Sequence, residues 1–433
     1  MLLIHNIALL QTPTGSTSLR GEAQGQNRTY RNASVLIDGE TICAVAEDGA
    51  VPDCPPETER LDARGAFVTP GWVDAHTHLV FGGWRQHEIP LKLNGASYLE
   101  ILQAGGGILD TVRQTRALRE DALFARAMGF LDEQLHLGVT TTEIKSGYGL
   151  DLENELKQLR VVRRLRDAHA MDVVPTCMAA HAVPPEFTGR TDAYVDYVCG
   201  EILPRVAEER LADYCDVFCE TGVFSVAQSR RVLACARALG LGLKIHADEI
   251  DALGGAQLAG ELGAVSAEHL IATDEGGIAA LADGGVTACL LPQTSLYLNK
   301  DFARAREMIA RGVAIALASD FNPGSCPSLN LQLSANLAYL RYRMTPEETL
   351  TALTLNAACA IGLGKRIGTI EPGKQADLTL WNADGMEMLC YRMGTNQVQA
   401  VVKKGKVVVG DCVNVLFSCH TFARERIPRA SGS

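Results

Sequence analysis

Eight short apolar segments alternate with helical segments between residues 66 and 365, and this alternation limits the fold more than any other feature of the chain. Strands separated by helices run parallel, and continuous apolar strands are typical of sheets that are covered on both faces. Eight such units over about 250 to 300 residues predict an α/β fold of the closed (β/α)8 (TIM) barrel type. The alternative is an open doubly wound sheet, but no predicted strand is followed by G-x-G-x-x-G. The predicted strands are 71–78, 140–146, 173–181, 214–220, 242–249, 264–269, 287–292 and 314–320.

The two ends of the chain have a different pattern, that of β-hairpins. Residues 34–37 turn through Asp38-Gly39 into 41–45, and residues 398–402 and 406–409 flank Lys404-Gly405. Neither end has enough strands to bury a core alone, so we expect one small β-sandwich domain built from both termini. The expected division is 1–65 and 366–433 for this domain and 66–365 for the barrel. The basic tail, 424–433, is expected to be frayed.

Composition excludes several classes of partner. The chain has 40 basic and 51 acidic side chains, a formal net charge of −11, which gives no basis for binding nucleic acid. No run of 18 apolar residues is present, and the first twelve residues lack the layout of a signal peptide. Thirteen cysteines without an export signal predict reduced thiols and a cytoplasmic location. We therefore expect a small-molecule ligand, no membrane and no nucleic acid, and a homodimer as the common state of such chains.

Polar side chains stand at the end of nearly every predicted strand. In a (β/α)8 barrel the carboxyl ends of all strands meet at one mouth, where active sites are built. These side chains are therefore expected to converge on one site. They are His76 and His78, Lys145, His181, Glu220, His246 with Glu249, His269, and Asp320.

His76-Thr77-His78 is the most specific local motif. Residues at i and i+2 of a strand face the same side, so both imidazoles can share one cation with His246 and Asp320. Imidazole and carboxylate ligands suit one divalent ion, with zinc expected and iron or manganese as alternatives. Such an ion lowers the pKa of bound water from about 15.7 to about 7.

Proton transfer then needs further groups near this water. Asp320 can contact both the ion and the water, while Glu249 and His269 can orient water, polarise a carbonyl or deliver a proton. These three residues are the predicted catalytic groups.

Other residues near the strand ends suit an organic anion. Arg85 lies in a glycine-containing loop, and its planar guanidinium can bind a carboxylate in two parallel hydrogen bonds. Tyr148, between Gly147 and Gly149, can donate from its phenol. The turn after the last strand offers Asn322, Gly324 and Ser325 to substrate atoms, or is simply a turn. A carbamylated Lys145 that bridges two metals is a further alternative, although an organic ligand on that side is favoured.

At these residues the chain resembles the amidohydrolase superfamily and, within it, the imidazolonepropionase family. DAHTH in VTPGWVDAHTHLVFGG is typical of the whole superfamily, whereas EIKSGYGL, HADE and SDFNPGS are much more specific. CDVFCETGVFS and the end-domain segment GTIEPGKQADL also match. Met178-Ala179 and Gln293-Thr294 depart from the expected pattern, and some members carry Gln where Glu249 stands. None of these departures removes a proposed ligand.

The resemblance implies a mononuclear metal hydrolase of histidine degradation that opens the ring amide of 4-imidazolone-5-propanoate to N-formimidoyl-L-glutamate. It implies metal ligands at His76, His78, His246 and Asp320. It implies substrate contacts at Arg85, Tyr148, His181, Glu249, Asn322, Gly324 and Ser325.

Two other functions fit parts of the pattern. A purine or pyrimidine deaminase on the same scaffold also uses a histidine and a glutamate spaced like His246 and Glu249, but Arg85 would have no purpose there. A non-catalytic barrel that has lost its metal should lack ligands, whereas all four predicted ligands are present.

Overall fold

Within residues 1–95 and 106–410, the part of the chain that it describes, the computed structural model contains sixteen strands in two sheets. The first five lie before the barrel, the next eight form it, and the last three follow it. They are β1 (Leu2–Thr12), β2 (Arg28–Asp38), β3 (Thr41–Ala46), β4 (Glu59–Asp62), β5 (Phe67–Pro70), β6 (Trp72–Asp74), β7 (Val139–Lys145), β8 (Asp172–Ala180), β9 (Tyr214–Cys219), β10 (Gly242–Ala247), β11 (Ser266–His269), β12 (Thr287–Leu290), β13 (Ala314–Leu317), β14 (Leu378–Trp381), β15 (Val398–Lys403) and β16 (Lys406–Val409).

Strands β6 to β13 pair in parallel, each with the next along the chain. The sheet closes where the chain beyond β6 meets the chain beyond β13, through a parallel bridge between Thr77 and Phe321. Backbone hydrogen bonds from Asp320 N to His76 O (3.1 Å) and from His78 N to Phe321 O (2.9 Å) complete the closure. The predicted (β/α)8 barrel is confirmed.

Helices follow the barrel strands, and their apolar faces pack on the sheet. Leu152–Ala168 begins where the side chain of Asp151 accepts from Asn154 N, and it buries Leu159 and Leu165. Of the described helices, none is long and apolar enough to cross a bilayer. The α-helices are Ile89–Leu93, Ile108–Ala117, Glu120–His136, Leu152–Ala168, Thr191–Tyr197, Leu203–Glu208, Val226–Ala238, Gly255–Leu262, Glu275–Gly284, Pro292–Tyr297, Ala305–Ala310, Leu331–Leu337, Pro346–Leu353, Leu355–Ala360 and Met386–Tyr391.

The second sheet combines strands from both ends of the chain. β1 pairs antiparallel with β2 on one side, and on the other side it pairs in parallel with β4 and then with β5. β14 continues this sheet by pairing with β5, followed by β15 and β16. A bridge between Thr41 and Gln375 brings its distant parts together around a separate apolar core. This agrees with the predicted sandwich of both termini.

One strand lies across the expected division of the chain. β5 falls within the segment 66–365 expected to form the barrel, yet its hydrogen bonds are to β1 and β14 of the other sheet. Residues 411–433, with the tail 424–433, lie outside the described residues. The division itself stays a prediction.

A buried lysine connects the two sheets. The Nζ atom of Lys403 lies 2.7 Å from a carboxylate oxygen of Asp172, at the start of β8, and 2.7 Å from one of Asp377. Burial alone would raise the pKa of Asp172, but the Lys403 ammonium overcomes this and holds that pKa well below its usual range. Because the folded pKa is lowered, this carboxylate stabilises the fold above about pH 4 and the contribution is lost as the pH falls further.

We predict that Lys403→Met lowers the free energy of unfolding at pH 7 by about 3 kcal/mol, the low end of the cost of breaking a buried ion pair, since Lys404 and Arg366 still face Asp172. Urea unfolding at pH 7 and pH 3 measures this, and the deficit should shrink at pH 3. Lys404→Met is the matched control: Lys404 is one-third exposed, so its loss should cost less than about 1 kcal/mol. If both variants lose the same free energy of unfolding, the buried Lys403 ion pair stabilises the fold no more than the exposed Lys404 does.

Candidate active site

Three histidines and one aspartate meet at the carboxyl end of the barrel. His76 and His78 follow β6, His246 lies in β10, and Asp320 follows β13. The Nε2 atoms of His246 and His78 are 3.4 Å apart, and Asp320 Oδ1 lies 3.4 Å from His76 Nε2 and 3.8 Å from His78 Nε2. Closure of the barrel makes the first strand a neighbour of the eighth, which is why His76 and His78 meet Asp320.

This spacing fits one divalent cation. Ligand atoms of His76, His78 and His246 all lie within 4.8 Å of one another. Two ligands at about 2.1 Å from a tetrahedral ion are separated by about 3.4 Å. His76 Nε2 is buried and has no hydrogen-bond partner among the described residues, as expected of an atom that serves as a metal ligand. The four side chains are therefore the candidate ligands of one divalent cation.

His76 and His78 have the protonation state that ligation requires. Burial lowers the pKa of His76 and of His78 well below the usual range, and neighbouring cationic groups lower both further. Both imidazoles are therefore neutral at pH 7 and offer a lone pair to a cation.

Two residues at the same mouth have an unusual backbone conformation. His269, the last residue of β11, and Asp320 have φ values of 67° and 58°, in the left-handed region that non-glycine residues rarely adopt. Such conformations persist where the surrounding structure holds them, and they are frequent at functional sites. They aim both side chains at the mouth.

His269 and Glu249 form a pair beside the metal ligands. His269 Nε2 lies 3.6 Å from Glu249 Oε2, and its ring centroid is 5.2 Å from that of His246. A cavity of about 390 Å³ opens next to Glu249, with Ile271 and Lys300 on its wall. Its volume is within the range of small-molecule sites.

Tyr148 and His181 line another side of the mouth. The His181 ring stacks on His78 with centroids 4.8 Å apart, and the Tyr148 ring centroid lies 5.9 Å from that of His78. His181 Nδ1 is 3.2 Å from the backbone oxygen of Gly147. Both rings are thus near the ligands, as the sequence predicts, and their contacts with substrate stay a prediction.

Arg85 reaches the turn that follows β13. A Cβ atom placed on Gly324 would lie 2.4 Å from Arg85 Nη1, so the guanidinium packs directly on this glycine. Arg85 Nε lies 3.2 Å from Glu88 Oε1, and the side chain of Arg85 is 12% exposed. Arg85 therefore stands at the rim, between solvent and the mouth.

Asn322 holds the same turn in shape. Its Oδ1 accepts from Gly324 N (2.8 Å) and Ser325 N (2.7 Å), and its Nδ2 donates to the backbone oxygen of Asp320 (2.7 Å). The side chain of Asn322 thus has a clear structural use, and the predicted substrate contacts of these three turn residues remain untested.

Two strand-end residues have other roles. Glu220 accepts from the backbone N–H groups of Ile250 and Thr221, so it anchors the loop after β10. Lys145 lies below the mouth with its Nζ against Asp216 (2.8 Å) and Glu143 (2.9 Å). A carbamate there would face two like charges, so these contacts are those of an ammonium ion.

Several polar residues beneath the histidines, and one at their side, were not predicted from the sequence. Asp216 lies 3.0 Å from His246 Nδ1, and Glu268 lies 3.1 Å from His76 Nδ1. Lys244 lies beside Glu268, and Thr294 donates to Asp320 Oδ2 (2.5 Å). One available signal was the i, i+2 spacing of Lys244 and His246, which places both side chains on one face of β10.

Comparisons with known proteins agree with this geometry. The sequence profile of the amidohydrolase family matches residues 67–408. Over 413 residues the chain is 48% identical to an imidazolonepropionase of Alkaliphilus metalliredigens, covering 94% of this chain and 98% of that protein. It is 47% identical to an imidazolonepropionase of Geobacillus kaustophilus, covering 95% and 98%.

Solved structures with the same fold are more distant in sequence. The 5-methylcytosine deaminase of Klebsiella pneumoniae superposes with a TM-score of 0.73 at 17% identity, covering 95% of this chain and 99% of that one. An atrazine chlorohydrolase from Arthrobacter aurescens, determined with zinc, gives 0.67 at 18% identity and 95% coverage of both chains. These likenesses support the fold alone.

We predict that the purified protein, loaded with zinc and desalted, retains one ion per chain, and that His78→Ala loses it because one of four ligands is gone. His181→Ala is the control, since it removes a stacked imidazole from the same mouth without removing a ligand. Elemental analysis measures the stoichiometry. If His181→Ala loses zinc and His78→Ala keeps it, His181 and not His78 is the ligand.

Proposed function

The chain belongs to the amidohydrolase family and, within it, to the imidazolonepropionases, and we propose that it hydrolyses the ring amide of 4-imidazolone-5-propanoate to N-formimidoyl-L-glutamate in histidine degradation. The observation that carries this proposal is the meeting of three histidines and Asp320 at a mouth whose rim holds Arg85. The three histidines and Asp320 suit metal-dependent hydrolysis, and the arginine suits an anionic substrate.

The metal is proposed to be zinc, with iron as the alternative. His76, His78, His246 and Asp320 are the residues that would hold it, and their nitrogen and oxygen donors suit either ion. When bound, the ion supplies Lewis acidity and lowers the pKa of water.

Asp320, His269 and Glu249 are the proposed catalytic groups. In this scheme the oxygen of a water molecule bonds to the amide carbonyl carbon while Asp320 accepts one of its protons. His269 polarises the carbonyl, and Glu249, 3.6 Å from His269 Nε2, orients that ring. The ring C–N bond then breaks and Asp320 returns the proton to the leaving nitrogen, so no other reactant is consumed.

Arg85 is proposed to bind the propanoate carboxylate. Its guanidinium lies against Gly324 at the rim, and Tyr148 and His181 line the mouth around the ring of the substrate. Glu249, Asn322, Gly324 and Ser325 complete the proposed contacts. A neutral nucleobase, the substrate of the alternative deaminase, has no carboxylate for Arg85 to bind.

The location and assembly of the protein are proposals as well. All eleven cysteines in the described residues are free, which suits a reducing compartment such as the cytoplasm. A homodimer is proposed as the common state of enzymes of this size.

The direct test is to incubate zinc-loaded protein with freshly prepared imidazolone propanoate and to follow loss of the ring absorbance. We predict turnover by the wild type and none by Asp320→Asn, since the amide can neither accept the proton nor ligate as a carboxylate does. Cytosine serves as the competing substrate. Release of ammonia from cytosine without consumption of the imidazolone would support the deaminase instead.

A second prediction concerns the carboxylate site. Arg85→Ala should raise KM by an amount equivalent to roughly 2–5 kcal/mol, because the substrate charge loses its partner. Gly324→Ala should raise KM in the same direction, since its new methyl group would displace Arg85 Nη1, the end of a flexible side chain.

Gly129→Ala is the control for the second variant, because the added methyl group has open space around it. It should leave KM unchanged, and thermal unfolding should show that all three variants are folded. An unchanged KM in Arg85→Ala would remove Arg85 from the site.

A further inference from the structure

Five charged side chains are fully buried in the barrel directly beneath the histidine cluster. Two are lysines and three are carboxylates, and none has a measurable exposed area. Burying unpaired charge is costly, so each needs a partner of opposite sign. They are Glu143, Lys145, Asp216, Lys244 and Glu268.

Two of the carboxylates contact metal-site histidines. Asp216 Oδ1 lies 3.0 Å from His246 Nδ1, and Glu268 Oε2 lies 3.1 Å from His76 Nδ1. A neutral imidazole carries one proton, and a carboxylate at Nδ1 places it there. Nε2 of each ring is then left with the lone pair that a cation needs.

The other oxygen of each carboxylate contacts a lysine. Lys145 Nζ lies 2.8 Å from Asp216 Oδ2, and Lys244 Nζ lies 3.4 Å from Glu268 Oε1. Glu143 lies between the two lysines, 2.9 Å from Lys145 and 3.1 Å from Lys244. The result is two lysine–carboxylate–histidine chains joined by one glutamate.

The net charge of the five buried side chains and Asp320 is opposite and equal to that of the proposed ion. Three carboxylates against two ammonium ions leave one net negative charge, and Asp320 adds a second. A divalent cation neutralises both. Without either lysine the buried group would carry excess negative charge, and its carboxylates would lack the cations that fix their positions.

Lys244 also disfavours a second metal ion next to the first. His76, Glu268 and Cys289 offer ligand atoms within 4.8 Å of one another and so resemble a second metal site. The Lys244 ammonium, 3.4 Å from Glu268, already supplies a positive charge at this place.

We propose that Lys145 and Lys244 are positioning residues for the metal centre: they hold Asp216 and Glu268 in place, and these carboxylates fix the orientation and tautomer of His246 and His76. This inference rests on the proposed metal site and adds to it the residues that prepare it. Neither lysine touches a ligand atom, so any effect on the metal passes through the carboxylates.

The test is the affinity for zinc of Lys145→Met and Lys244→Met, measured by competition with a chromophoric chelator. Methionine has a similar length but no charge. We expect each variant to bind zinc about 10–100-fold more weakly, the usual effect of removing an outer partner of a metal ligand. The visible spectrum of the cobalt(II)-loaded protein should change as well, because it reports ligand geometry independently of turnover.

Lys403→Met is the matched control. Lys403 is also a buried lysine between two carboxylates, but it lies at the junction with the other sheet. It should lose stability and keep both its zinc affinity and the cobalt spectrum. If zinc binding is weakened equally in all three variants, the cause is the general loss of a buried lysine, and the proposal is overturned.

Glu268→Gln covers the case in which the lysine variants do not fold. It keeps the size of the side chain but removes the charge between Lys244 and His76. Weaker zinc binding by the folded Glu268→Gln protein supports the proposal, and wild-type affinity overturns it. If the wild type itself binds no zinc, the proposed metal site fails first, so the two failures are distinguishable.

Discussion

Closure of the barrel is the constraint on which the site depends. The backbone bonds between His76 and Asp320 and between His78 and Phe321 connect the first and last strands, which are far apart in the chain. The two histidines after β6 and the aspartate after β13 therefore become direct neighbours. An open sheet of the same strands would leave them at opposite edges, too far apart to share one cation.

A site made of buried polar groups raises a second physical problem, which is the cost of removing charge from water. Each of the five charged side chains beneath the histidines has a partner of opposite charge, and two of the carboxylates also contact histidines of the candidate metal site. In the proposed metal centre, the pairs that make burial tolerable are also the contacts that orient the ligands.

The rim is built differently from the interior, because it is made of loops and turns. Asn322 uses its amide to shape the turn on which Arg85 rests, and His269 and Asp320 are held in left-handed conformations. Such geometry depends on the folded surroundings of each residue. Buried candidate metal ligands below and an arginine at the rim above together suit hydrolysis of a small anion.

The sequence alone determined the eight barrel units, the hairpins at both ends and the convergence of His76, His78, His246 and Asp320, because these follow from local periodicity and from the topology it implies. It did not reveal that β5 joins the end-domain sheet, since a four-residue apolar segment directly before β6 has the same pattern in either sheet. Nor did it reveal Asp216 and Glu268 as partners of the histidines. A charged residue within a strand has the same sequence pattern whether it faces solvent or a buried cation, and only the closed barrel decided which side chains would meet inside it.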